Sequence, residues 1–178
     1  MIFETRDVSP AEAFDALRGI KDQGYNVLVD MTAVDYSAFG TKPSSMGWEG
    51  NFPSGATPAR AERFEVVYRL ASLDAVTGLE TKPRLEIHCA VGEEPVLRSI
   101  AGLWPAADWL EREIWDMFGV GFADRPDIKR LLLYESFKGH PLRKDYPINK
   151  RQPLIGPKSG ELAGSPSFNV VRQEVPFE

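Results

Sequence analysis

Two histidines, His88 and His140, and one cysteine, Cys89, are the imidazole and thiol groups this 178-residue chain offers to chemistry. His88 and Cys89 are neighbours in Arg84–Val91, a stretch that alternates polar and apolar. On a strand they point to opposite faces and cannot share a metal ion. One cysteine permits neither an internal disulfide nor the Cys-x-x-Cys pairs on which zinc and iron–sulfur sites are built. Glu111 and Glu113 are a possible acid–base pair. Two positions apart on a helix they diverge by about 200°, so they cannot serve one reacting atom. No G-x-G-x-x-G, phosphate-binding G-x-x-x-x-G-K-[ST] or G-x-S-x-G pattern occurs. The inventory argues against an independent redox or hydrolytic enzyme.

Charged groups concentrate instead in two places. The first is Ala107–Phe118, where helical spacing puts Leu110, Ile114, Met117 and Phe118 on one face and Arg112 and Asp116 on the other, four apart and able to pair weakly. Two residues break this pattern. Glu111 projects to the apolar side, where an acid needs a hydrogen-bond or cationic partner. Trp109 projects to the polar side, as binding-surface tryptophans do. From the residues alone, Glu111 reaching the core edge and Trp109 covering a neighbouring loop explain the pattern equally well. Gly119 ends the helix. The second place is Gly139–Pro147, which holds His140, Arg143 and Lys144 near Asp145 in a loop restricted by two prolines, Pro141 and Pro147. It reads as a stiff turn with local ion pairs, or as an anchoring loop for a partner's acidic or carbonyl groups.

The elements that position these groups predict an α+β fold. A helix is expected over 10–23, with Ser9 as N-cap, Pro10 at N1, Glu12 completing a capping box and Gly24 as the stop. Strands follow at 26–32, 64–70 and 84–91, the last two pairing as a hairpin, and Glu93–Pro95 opens a short helix with Val96, Leu97 and Ile100 inward. We expect a mixed sheet with helices packed on one face, followed by an extended C-terminal arm. The core domain is 1–137, interrupted by a Gly/Pro-rich insertion at 39–61 that is long for a loop. Residues 138–178 form a Pro/Gly-rich arm. From 138 to 158 it carries six basic residues against one acid, in a chain of net charge −5. Such an arm orders only along a partner. The acidic balance excludes general nucleic-acid binding. The N-terminus shows no signal peptide, and no apolar run approaches the roughly 20 residues a membrane helix needs.

Trp109–Val120 resembles the E-R-E-x-x-D-x-F-G signature of the 30 kDa, C-type subunit family of NADH–quinone oxidoreductase, respiratory complex I. Pro126–Leu132 and Gly139–Pro147 match that family in order and spacing, and Val34–Tyr36 and Phe64–Leu70 are similar to its sheet region. The resemblance covers residues 24–150. Arg125 departs from it, standing where the family has His or Lys. A cation is kept there, but not an imidazole.

The resemblance implies a non-catalytic structural subunit of the peripheral arm of a complex that passes electrons from NADH through FMN and Fe-S centres to quinone and pumps protons. It implies no cofactor in this chain. It implies contacts with subunits D, B and I, on the cytoplasmic side of the bacterial inner membrane. Glu111, Arg112, Glu113 and Asp116 would fix the helix and its contacts, with Trp109, Phe118 and Gly119 completing the signature. Arg125, Lys129, Arg130, His140, Pro141, Arg143, Lys144 and Asp145 would clamp neighbouring subunits. The alternative is the homologous subunit of a membrane-bound hydrogenase-type complex, which shares the signature.

Overall fold

The computed structural model describes residues 3–37, 62–147, 149, 151 and 152. The 39–61 insertion and the arm beyond 152 lie outside the described residues. The elements run β1 (Phe3–Val8), α1 (Ala13–Asp22), β2 (Val27–Asp35), β3 (Phe64–Ala71), β4 (Arg84–Val91), β5 (Val96–Leu97), α2 (Ala107–Phe118) and β6 (Gly121–Phe122).

β1 to β4 form one sheet in the order β1-β4-β3-β2. β2, β3 and β4 pair antiparallel, and β1 joins β4 in parallel, so the sheet is mixed. Period-two alternation decides which side each residue takes. Phe64, Val66, Tyr68 and Leu70 of β3 and Leu85, Ile87, Cys89 and Val91 of β4 are buried with Leu17 and Ile20 of α1 and Ala107 and Ile114 of α2. Both helices therefore cover the same sheet face. A register shift between Leu28 and Asp30 lets β2 bury both Leu28 and Met31 while Val29 stays exposed. The opposite face carries Asp30, Arg69, Glu86, His88 and Glu65. There Arg69 pairs with Glu86 at 2.7 Å, and the two ring nitrogens of His88 meet Glu86 at 2.9 Å and Glu65 at 3.2 Å. His88 and Cys89 thus face opposite ways, as the alternation predicts.

Two local expectations are corrected, and one strand is not foreseen. α1 starts at Ala13, not Pro10. Ser9 and Glu12 do meet ahead of the helix, Ser9 Oγ donating to the Glu12 carboxylate at 2.8 Å and the Glu12 N–H to the Ser9 carbonyl at 3.1 Å, without the side-chain-to-backbone bonds of a capping box. β1 is a strand that the residues do not signal; its sequence, Phe-Glu-Thr-Arg-Asp-Val, is largely polar, and residues 4–7 are exposed whichever face they point to. The helix expected after Glu93 is instead strand β5, paired in parallel with β6. Its neighbouring carbonyls are taken across the chain, Pro95 by the Gly121 N–H at 2.7 Å and Leu97 by the Ala123 N–H at 2.9 Å. The Ile100 N–H, which a helix would use internally, goes to the Glu111 carboxylate at 2.7 Å. The hairpin of β3 and β4, the extent of α2 and the glycine stops at Gly24 (φ 97°) and Gly119 (φ 73°) are as expected.

Candidate functional site

The signature residues sit on α2 and on the irregular chain that returns across it. Glu111 is fully buried. Its carboxylate accepts from Ser99 Oγ at 2.8 Å, the Ile100 N–H at 2.7 Å and Arg125 Nη1 at 3.0 Å. Arg125 also donates to the Asp108 carbonyl at 3.1 Å and pairs with the Asp108 carboxylate. The buried acid, which by helical projection needs a partner, has three within the chain. Arg125 reaches backbone and two carboxylates at once, which a forked guanidinium does and an ammonium does not.

Asp116 is also fully buried, and it does not pair with Arg112. One carboxylate oxygen accepts the successive N–H groups of Leu131, Leu132 and Leu133 at 3.1, 2.9 and 2.9 Å. The other meets Arg130 Nη1 at 2.6 Å. Burial works to raise the pKa of Asp116, but the three N–H groups and Arg130 outweigh it and hold the carboxyl below its ordinary range. Arg130 donates onward to the carbonyls of Phe137 at 2.9 Å and Gly139 at 3.2 Å. Arg112 spans the same segment, donating to the carbonyls of Lys129 at 3.1 Å and Arg130 at 3.0 Å.

The second cluster closes the C-terminal end of α2. A helix leaves its last four carbonyls without internal partners, and its dipole makes that end negative. Here Trp115 O takes the Gly119 N–H at 2.9 Å, Asp116 O faces His140 Nδ1 at 3.0 Å and Met117 O takes the Leu142 N–H at 3.1 Å. Phe118 O takes Arg143 Nε, and Gly119 O takes Arg143 Nη2 at 3.3 Å. The last four helical carbonyls and that of Gly119 are all satisfied, and a cation lies at the negative end. Because Asp116 O can only accept, His140 donates from Nδ1. Burial, reinforced by Arg143 and Arg130, lowers the His140 pKa and keeps the ring neutral, with the Asp116 carbonyl opposing in part. A Cβ on Gly119 would lie 2.6 Å from Arg143 Nη2 and 2.6 Å from His140 Cδ2, so this glycine is needed for space as well as for its φ.

A third knot ties this clasp to the sheet. Asp35, its side chain fully buried at the end of β2, accepts from Arg63 at 3.1 Å and from the Lys144 N–H at 2.9 Å. Arg63 also holds Asp145 at 3.0 Å and Glu93 at 3.0 Å. Burial tends to raise Asp35, yet Arg63 and the N–H groups of Ser37 and Lys144 pull it down to about 2.

Of the residues singled out in the sequence, Glu111, Arg112, Asp116, Gly119, Arg125, Arg130, His140, Arg143 and Asp145 are thus joined to other parts of this chain. Phe118 packs half-buried against the core. Glu113, Lys129 and the Lys144 side chain are exposed, Pro141 is half-buried and Trp109 is 58% exposed. Sequence reasoning missed Asp35, Arg63, Ser99 and Asp108 as members of the network. For Asp35 a signal existed, because it shares the inward parity of Met31 and Ala33 on β2.

The family model for the respiratory-chain NADH dehydrogenase 30 kDa subunit matches residues 6–152. The chain belongs to that family. The NADH-quinone oxidoreductase C-type subunit from Halorhodospira halophila is 31% identical over 91% of this chain and 74% of its own length. Its counterpart from Azorhizobium caulinodans is 45% identical over 51% of this chain, which spans only 40% of that relative. Among solved structures, the trypsin-resistant fragment (1–134) of Nqo5 superposes with a TM-score of 0.53 at 30% identity, over 68% of this chain and 79% of the fragment. The 30 kDa subunit family therefore has a member here whose signature helix is braced and capped by its own following segment.

Proposed function

We propose that the chain is a non-catalytic structural subunit of the peripheral arm of a proton-pumping NADH:quinone oxidoreductase. In this reading electrons pass from NADH through FMN and Fe-S centres of partner subunits to quinone, and this chain holds none of those groups. Its neighbours are subunits D, B and I, on the cytoplasmic side of the bacterial inner membrane, and membrane contact comes through the complex. Among the described residues no helix is long and apolar enough to cross a membrane.

The observation that carries the reading is the use made of the signature. Glu111, Asp116, Arg125, Arg130 and His140 are all spent on bracing α2 and closing its end, an arrangement that stiffens a surface rather than activates a substrate. The single cysteine supports the cofactor part, since no iron–sulfur framework can be built from Cys89 alone.

The test is purification of the tagged chain in mild detergent from its native host. Copurification of flavin and iron–sulfur subunits, with loss of NADH:quinone reductase activity when the chain is deleted, is the expected result. A chain recovered alone, or with a hydrogenase-type large subunit, overturns it.

A further inference from the structure

Resting on that reading, we infer that the outer face of α2 around Trp109 and Arg112 is a docking surface for a neighbouring subunit. The matching element is a segment that sets one carboxylate against Arg112 beside an apolar side chain seated on Trp109.

Three arginines serve this side of the molecule, and their charges are not equally met. Arg125 is matched by Asp108 and Glu111, and Arg130 by Asp116. Arg112 donates only to two neutral carbonyls, of Lys129 and Arg130, and no carboxylate among the described residues is paired with it. It is half-buried, so its remaining Nη1 donors point from a partly desolvated position, where an added carboxylate is worth more than at a fully exposed one. Its guanidinium carbon lies 5.1 Å from the Trp109 ring centroid. This holds the indole in place by a cation–π contact while leaving Trp109 58% exposed. An exposed tryptophan already held in position loses little freedom on binding, which is the condition for a hot spot.

The surroundings narrow the partner's chemistry. An open cleft of about 180 Å³ adjoins Arg112 and is bounded by Ile128, Lys129 and Asp127 as well as by the Asp108–Arg125 pair. Lys129 is an exposed cation without an ion pair among the described residues, so a single carboxylate finds two cations here. Asp127 and Glu113 are exposed on the same side, so a run of acids would be repelled. The fit is therefore one acid next to an aliphatic or aromatic residue, and not a polyacidic tail.

The experiment uses the intact complex from native membranes beside the isolated full chain. Hydroxyl-radical footprinting should oxidise Trp109 roughly tenfold less in the complex, as a desolvated hot spot requires. A zero-length carbodiimide should join Lys129 Nζ to a carboxylate of another subunit. In a competition between tagged chains, Trp109→Ala should enter the complex about 30-fold less well than wild type, with Trp109→Phe recovering most of the loss. Equal oxidation of Trp109 in both samples, or Lys129 links confined to this chain, overturns the inference while leaving membership of the complex standing. A chain absent from the complex overturns both.

Discussion

The Asp116 carboxylate and the Arg130 guanidinium meet at 2.6 Å with the acid fully buried, fourteen residues apart in sequence and on opposite sides of the end of α2. This pair, with the N–H groups of residues 131–133, is where the irregular segment is fastened to the helix. Replacing Asp116 by Ala leaves the half-buried Arg130 without its carboxylate and the N–H groups of Leu131, Leu132 and Leu133 without their acceptor. Breaking such a pair from one side costs about 3–5 kcal/mol. Chemical denaturation of the isolated chain should show a loss of that order for Asp116→Ala, against less than about 0.5 kcal/mol for the exposed Glu113→Ala. Similar losses for the two would show that Asp116 is not a brace.

Gly119 and Gly78 have nearly the same φ, 73° and 69°, but only Gly119 is crowded; a Cβ on Gly78 meets nothing within 4 Å. Gly78→Ala therefore measures the backbone cost alone, about 1–2 kcal/mol. Gly119→Ala should exceed it and should also raise amide exchange at Leu142, whose N–H closes the helix end. Equal effects at the two glycines would refute the packing role.

Arg125 satisfies Asp108 and Glu111 together. Arg125→Ala should destabilise by about 3 kcal/mol, because it leaves the Glu111 charge buried without its cation. Arg125→Lys should lie between that variant and wild type, since an ammonium cannot reproduce the fork. In a double-mutant cycle Glu111→Gln should lessen the cost of Arg125→Ala. Strict additivity would mean the two side chains are not coupled.

Stability should fall with acidification in two stages. The unfolded chain protonates its histidines near pH 6.5, whereas burial lowers His140 in the fold, so stability is lost as pH falls from 6.5 through the folded value. His140→Gln should flatten that limb. Asp35 is held at about 2 against an ordinary 3.8, so its contribution is complete above pH 4 and disappears as pH falls toward 2. That contribution is about 2 kcal/mol. Denaturant midpoints measured from pH 8 to pH 2 for wild type, His140→Gln and Asp35→Asn would reveal or deny both limbs.

Much of this architecture is legible in the residues, for reasons that can be named. The extent of α2 can be read to the residue because the 3.6-residue spacing of Leu110, Ile114 and Phe118 ends at a glycine. β3 and β4 stand out because β-branched and aromatic residues alternate between turn signals. β1 is hidden because residues 4–7 are exposed on both faces, so no apolar alternation marks it. The region after Glu93 misleads because its acids and proline mimic a helix start, whereas its backbone is claimed by β6 and Glu111.

The amino-acid sequence by itself determined the family, the helix that bears the signature, and the poverty of imidazole and thiol groups. Each is a matter of residue type and short spacing. What only the tertiary structure decided is which charges lie inside. Asp116 falls on the polar face of α2 by helical projection, yet it is fully buried because residues 129–133 cross that face. Glu111 falls on the apolar face, yet it is satisfied because Ser99, Ile100 and Arg125 converge on it. The crossing segment has no period of its own, so its place follows only from where its N–H groups and arginines find acceptors. Those acceptors are the carboxylates and the open carbonyl end of a helix brought near by the fold.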